Sequence, residues 1–180
     1  MIRIISGTHK GRRISAPRNL PVRPTTDRAK EALFNILAPQ IHWPDASVLD
    51  LFAGTGNISY ECASRGCPSV TAVDAHPGCV AFIRKTAEAL GMPLHAVRKR
   101  AASFLEQSAA GYTVIFADPP YDLGLPALEG LVNTCMEGPV LAADGLLVVE
   151  HPKTESLEHL PGFREARRYG GTVFSFFEKK

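Results

Sequence analysis

The sequence predicts an α/β protein with a mostly parallel sheet, and three observations predict it. Short apolar runs alternate with segments of helical periodicity between residues 48 and 149. One of those runs, residues 48–51, feeds the glycine turn Gly54-Thr55-Gly56, which feeds a helix opened by Asn57. The chain then closes on two strand-like segments, 166–169 and 172–178, around Gly170-Gly171, a hairpin signal that implies an antiparallel finish.

The elements follow in chain order. Residues 2–6 and 12–16 predict two strands about a turn bounded by Gly7 and Gly11. Pro17, Pro21 and Pro24 then favour an extended linker. Residues 1–24 are therefore expected to form a basic hairpin and linker, and residues 25–180 a single main domain. A helix is expected after Thr26 or Asp27 as cap, stopped by Pro39, with Ala29, Leu33, Ile36 and Leu37 inward and Arg28, Glu31 and Asn35 outward. Past the glycine turn, a helix over 57–65 ends at Gly66, and a second strand covers 70–74. A helix over 77–90 turns Val80, Ile83, Ala87 and Leu90 inward and ends at Gly91. A strand over 94–97, a short helix over 102–107 and a strand over 114–117 come next. Leu128, Leu131, Val132, Cys135 and Met136 keep helical spacing, and 146–149 is a wholly apolar strand.

Composition narrows the class. At 45% hydrophobic residues the chain has material for a core, yet no run of about 18 apolar residues would span a membrane. The N-terminus is too polar after Ile5 for a signal peptide, so a cytoplasmic protein is expected. Cys62, Cys67, Cys79 and Cys135 form no C-x-x-C pair and the histidines show no zinc spacing, so the cysteines read as reduced core residues with no metal. Charge is unevenly placed. Residues 1–30 hold eight basic residues against one acid, a net of +7, while the whole chain carries only +2. A basic arm on an acidic body suggests a polyanion, with Arg3, Lys10, Arg12, Arg13, Arg18 and Arg23 as its contacts; a solvated surface is the plainer alternative.

Two constellations carry chemistry. In the first, a glycine turn between strand and helix gathers free backbone N–H groups where a polar or anionic ligand part can dock. Asp50 is an acid inside an apolar strand, costly to bury unless donors or a ligand satisfy it. Ser59 stands where a dinucleotide fingerprint would have its third glycine, but Asp74 ends the next strand where an acid can accept both hydroxyls of a ribose. NAD and S-adenosylmethionine both carry such a ribose. In the second, the strand over 114–117 runs into Asp118-Pro119-Pro120-Tyr121. An exocyclic nucleobase amine is a poor nucleophile because its lone pair is delocalised. The Asp118 carboxylate and Pro119 carbonyl can accept both amine protons and draw the nitrogen toward tetrahedral geometry, the prolines fixing the carbonyl's direction. Tyr121 can stack on the base.

FAGTG (52–56) with DPPY (118–121) resembles the signature of class I S-adenosylmethionine-dependent methyltransferases acting on nucleobase amines. RIISGTHKGRRI (3–14) and RPTTDRAKEALFNIL (23–37) further resemble the small bacterial family that methylates guanine N2 in 16S ribosomal RNA. The resemblance implies a Rossmann-like, seven-stranded, mostly parallel sheet with an antiparallel last strand, plus the N-terminal basic hairpin. It implies S-adenosylmethionine as cofactor, with Phe52 and the Gly54–Gly56 turn beneath its methionine part and Asp50 fixing that turn or meeting the amino group. Asp74 is expected on the ribose, and Thr25, Thr26 and Arg28 over the methionine carboxylate. The catalytic residues are expected to be Asp118, Pro119 and Tyr121. Where many relatives of this class place an acid for the adenine amine, the chain has Arg98-Lys99-Arg100-Ala101, so adenine is expected to rest on backbone near Ala101 and on apolar packing. The basic triplet is either a second RNA contact or a solvated loop. The expected partner is 16S ribosomal RNA in the small subunit or an assembly intermediate, met by a monomer, with the target base flipped out. Two alternatives stand beside this: an adenine-N6 methyltransferase on RNA or DNA, and a non-catalytic ribosome-assembly protein that binds RNA.

Overall fold

A computed structural model describes residues 1–23 and 25–180; Pro24, expected in the linker, lies outside the described residues. The chain forms β1 (Ile2–Arg3), β2 (Arg13–Ile14), α1 (Asp27–Leu37), β3 (Ser47–Leu51), α2 (Asn57–Ser64), β4 (Ser69–Asp74) and α3 (Pro77–Leu90). It continues through β5 (Leu94–Arg98), α4 (Ala101–Gln107), β6 (Tyr112–Ala117), α5 (Leu125–Glu137), β7 (Leu141–Pro152), β8 (Phe163–Tyr169) and β9 (Thr172–Glu178). One sheet runs β5-β4-β3-β6-β7-β9-β8, and β9, last in sequence, is antiparallel to both of its neighbours. The order reverses beside β3, which pairs in parallel with β4 on one side and β6 on the other. That switch point opens the crevice in which such sheets bind ligands.

Strand alternation divides the core between the two sheet faces. Val48 belongs to a cluster with Leu33 and Phe34 of α1, Ile58 of α2 and Ile83 of α3. Leu49 and Leu51 turn the other way, toward Leu105 of α4 and Leu128 and Val132 of α5. The hairpin joins the first cluster through Ile2, Ile4 and Ile14, so it is packed onto the main body rather than hung from it. All four cysteines are free and buried.

Several expected bounds are corrected. The N-terminal hairpin keeps only the ladder pairs Ile2–Ile14 and Arg3–Arg13, not two five-residue strands. The reason is that the N–H groups of Ile5 and Ser6 leave the hairpin for the Glu61 carboxylate, at 2.8 and 3.1 Å. β7 is far longer than its apolar centre, because it begins before a break in its register with β6, where Asp144 takes φ 62°, and runs on through Glu150 and His151 against β9. On α1, Lys30 and Phe34 are buried while Ile36 is only partly so, a rotation of the inward face by about one residue.

Candidate active site

Parallel register brings both constellations to one edge of the sheet. Leu51 lies opposite Val73 on one side and Ala117 on the other. The residues that follow, Phe52, Asp74 and Asp118, therefore emerge together at the carboxyl ends of β3, β4 and β6. They line a cavity of about 530 Å³ with Gly54, Asn57, Pro119 and Tyr121.

Each side chain has a physical reason for its state. Gly56 caps α2 at φ 92°, and a Cβ there would come within 2.7 Å of the Tyr60 ring, so the turn admits no side chain. Phe52 holds φ 57°, a conformation costly for a bulky residue and characteristic of functional loops. Asp50 is 2% exposed; burial pushes its carboxyl up to about 7, opposed by the Ser59 hydroxyl, which donates to it at 2.6 Å. Ser59, a poor match to a glycine fingerprint, is thus the partner that satisfies Asp50. Asp74 accepts the N–H of Gly54 and of His76, both at 2.9 Å, one on each oxygen. One lone pair on each oxygen remains for a ligand.

The second constellation is more heavily charged. Burial first, and then the charge of Glu150, pushes Asp118 up to about 8; Arg23 pulls the other way. Glu150 accepts from the hydroxyls of Thr172 at 3.1 Å and Thr25 at 3.4 Å, and burial raises its carboxyl as well. Tyr121 is half exposed, with the Arg23 guanidinium 3.5 Å above its ring centre.

A second cavity, of about 460 Å³, adjoins the first and shares Phe52, Asp74 and Ala75 with it. Its walls are largely apolar, from Val73, Ala101, Leu105, Leu123 and Leu131. Lys99 and Arg100 also line its rim, Lys99 partly buried and Arg100 exposed. Together the cavities can hold an elongated ligand with an apolar ring at one end, hydroxyls at Asp74 and a cationic centre among the carboxylates.

The other expected residues fall apart from this cluster or change place within it. Thr25 lines the cavity, but Thr26 spends its hydroxyl capping α1, accepting the Ala29 N–H at 3.2 Å, and Arg28 is exposed on the outer face of that helix. Neither Thr26 nor Arg28 lines the first cavity. Arg3, Lys10, Arg12, Arg13 and Arg18 are exposed on or beside the hairpin, with Arg3 paired to Asp27 at 3.1 Å. Arg23 is set apart from them, inside the cavity lining. Lys30, counted among the arm's charges, is fully buried. The sequence assigned no role to Glu150 or Glu61, and to Lys30 only a place among the arm's charges. Glu150 alone left a signal: like Asp74 and Asp118, it is an acid that directly follows an apolar run.

The model of the family described as Conserved hypothetical protein 95 matches residues 2–178. Ribosomal RNA small subunit methyltransferase D of Escherichia coli is 36% identical over 161 residues, covering 89% of this chain and 79% of that protein. The solved structure of the yhhF protein of Escherichia coli superposes with a TM-score of 0.87 at 32% identity, over 99% of this chain and 98% of that one. A 16S rRNA N2 methyltransferase of Thermus thermophilus, solved with AdoMet and guanosine, gives a TM-score of 0.71 at 21% identity, over 89% of this chain and 45% of that one. At that identity the likeness is one of fold.

Proposed function

The chain belongs to the family described as Conserved hypothetical protein 95, and on that footing we propose that it transfers a methyl group from S-adenosylmethionine to the exocyclic N2 amine of a guanine in 16S ribosomal RNA. The observation that carries this reading is the meeting of the glycine turn and the Asp118–Tyr121 segment in one cavity. An excess of carboxylates there suits a ligand bearing a sulfonium and an ammonium group. The apolar second cavity suits an adenine ring, and the free lone pairs of Asp74 suit ribose hydroxyls. Bound in this way, the cofactor supplies an activated methyl group; the protein supplies position.

Asp118 and the Pro119 carbonyl accept from the amine, and Tyr121 stacks on the flipped base, an interaction worth about 1–3 kcal/mol. Stacking requires the Arg23 guanidinium to give up the Tyr121 face or to hold the base from its other side. Phe52 and Gly54–Gly56 underlie the methionine part, and Thr25 stands at its edge. Ala101 packs on the adenine. Residues 1–24 serve as the RNA-contacting arm and 25–180 as the catalytic body, acting as a monomer in the cytoplasm on the small subunit or an assembly intermediate. The test is mass-spectrometric mapping of 16S RNA from cells lacking the gene. Loss of one N2-methylguanine, restored by the wild-type gene, is expected; an unchanged methylation map would sink the reading.

A further inference from the structure

Behind Asp118 stands a second carboxylate for which the site described above has no use. β6 and β7 are parallel neighbours with Ala117 opposite Val149, so Asp118, just past the end of β6, and Glu150, still within β7, stand side by side. Asp118 lines the cavity; Glu150, within hydrogen-bonding reach of it, does not, and is 4% exposed. Two hydroxyls from distant parts of the chain, Thr25 and Thr172, each donate to one Glu150 oxygen. The groups that face the pair are Arg23 from the linker, Asp50 from β3 and those two hydroxyls. Arg23 is the one cation among them, and its guanidinium is exposed and stacked on Tyr121. Two buried carboxylates this close cannot both ionise cheaply, which is why burial and mutual repulsion hold Asp118 up to about 8.

We propose that Asp118 and Glu150 form a carboxylate pair that shares one proton, that this proton is the one given up by the substrate nitrogen, and that Glu150 is the positioning residue that lets Asp118 take it. This rests on the methyltransferase reading. As the amine lone pair forms the new carbon–nitrogen bond, the bond from the methyl carbon to the donor sulfur breaks and its electron pair stays on sulfur. The nitrogen, now positive, passes a proton to the cavity-facing oxygen of Asp118. That proton is then shared with Glu150, whose oxygens the two threonine hydroxyls keep in place. After the product leaves, the pair returns that proton to solvent. A lone carboxylate would offer the nitrogen a weaker base.

The test is a carbon-13 NMR titration of labelled Asp and Glu carboxyl groups in the full chain without cofactor or RNA. Two carboxyls that titrate as a coupled pair, the upper step near 8, are expected. Glu150→Gln removes the like charge and should lower the Asp118 midpoint by about one pH unit or more. Thr172→Val, which removes a donor to the Glu150 carboxylate, should raise the pair's midpoints and serves if the first variant does not fold. In single-turnover methylation of 30S particles, the acid limb of the rate profile should move with the Asp118 midpoint. An Asp118 midpoint indifferent to Glu150→Gln would overturn the pair, and a rate limb that stays put while the midpoint moves would overturn the proton-accepting role. A coupled pair in a protein that never methylates RNA would instead overturn the methyltransferase reading, and with it the source of the proton.

Discussion

The molecule buries charge in two places, and it treats them in opposite ways. At the hairpin, Lys30 and Glu61 are both fully buried with their charged atoms 3.4 Å apart. Lys30 also donates to the Arg3 carbonyl at 2.6 Å and to Asn57 Oδ1 at 2.8 Å, while Glu61 accepts from Ile5, Ser6 and the Arg65 guanidinium. Burial pulls the Lys30 ammonium down and Glu61 pulls it back up. Every donor is spoken for, so this cluster fastens the arm to α2 and has no capacity left for chemistry. At the cleft, Asp50, Asp74, Asp118 and Glu150 crowd together with Arg23 as counter-charge. Opposite charges saturated by hydrogen bonds make structure; like charges left with an open side make a site that a cationic ligand or a proton can relieve.

The sharpest way to break this contrast is to remove one partner from each cluster. Glu61→Ala leaves Lys30 buried without its counter-ion and two backbone N–H groups unmet, and should cost about 3–5 kcal/mol of stability in urea unfolding. A loss under about 1 kcal/mol would mean that the anchor is not an anchor. Asp118→Ala should do the reverse. Methyl transfer should fall by about 100–1,000-fold in a single-turnover assay, with Asp118→Asn retaining more, because the acceptor works where positive charge develops. Its melting temperature should stay level or rise, since a repelling charge is gone. A destabilised Asp118→Ala protein would erase the distinction between the clusters.

Proton linkage sharpens the contrast further. The folded-state carboxyls of Asp50 and Asp118, at about 7 and about 8, lie above ordinary carboxylate values. A raised acid contributes its stability in full below its unfolded value of about 4 and loses it progressively as pH climbs from there to the folded value. The protein without cofactor should therefore melt at lower temperature at pH 9 than at pH 6, and Asp50→Asn should flatten part of that slope. Calorimetry that found rising stability over this range would contradict the raised values. The smallest effect belongs to the arm's surface. Its deletion would tear Ile2, Ile4 and Ile14 from the core, so neutralisation is the cleaner test. Changing Lys10, Arg12 and Arg13 to Gln should leave folding and cofactor affinity intact and flatten the salt dependence of RNA binding by about 0.7–0.9 per lost phosphate contact. An unchanged slope would show those charges to be solvated surface.

Much of this was legible in the residues. Periodicity and glycine punctuation located the strands from 48 to 149, because each carries an apolar run and each helix an apolar stripe. Asp50, Asp74 and Asp118 stood out as acids within or just past such runs. Lys30 and Glu61 did not, since a polar residue on an amphipathic helix looks solvated until a neighbour 31 positions away removes the water from both. Thr26 shows the converse: one hydroxyl fits either a cap or a ligand contact, and the local N–H groups of α1 claim it. Glu150 carried the same mark as the recognised acids, but its meaning lies in pairing with Thr25, 125 residues earlier, and in a register that no local pattern encodes.

The fastening of the arm also orders events in time. Gly7, at φ 89°, passes so close to the end of α2 that a Cβ would stand 1.9 Å from the Ser64 carbonyl oxygen. Ile5 therefore reaches its acceptor only after a further 56 residues have been synthesised, which at roughly 5–20 residues per second is a delay of about 3–11 seconds. A hairpin this short is not stable alone. The basic arm settles only on a chain whose glycine turn and second helix have already formed. The arm is thus fastened only where the glycine turn that floors the cleft is already in place.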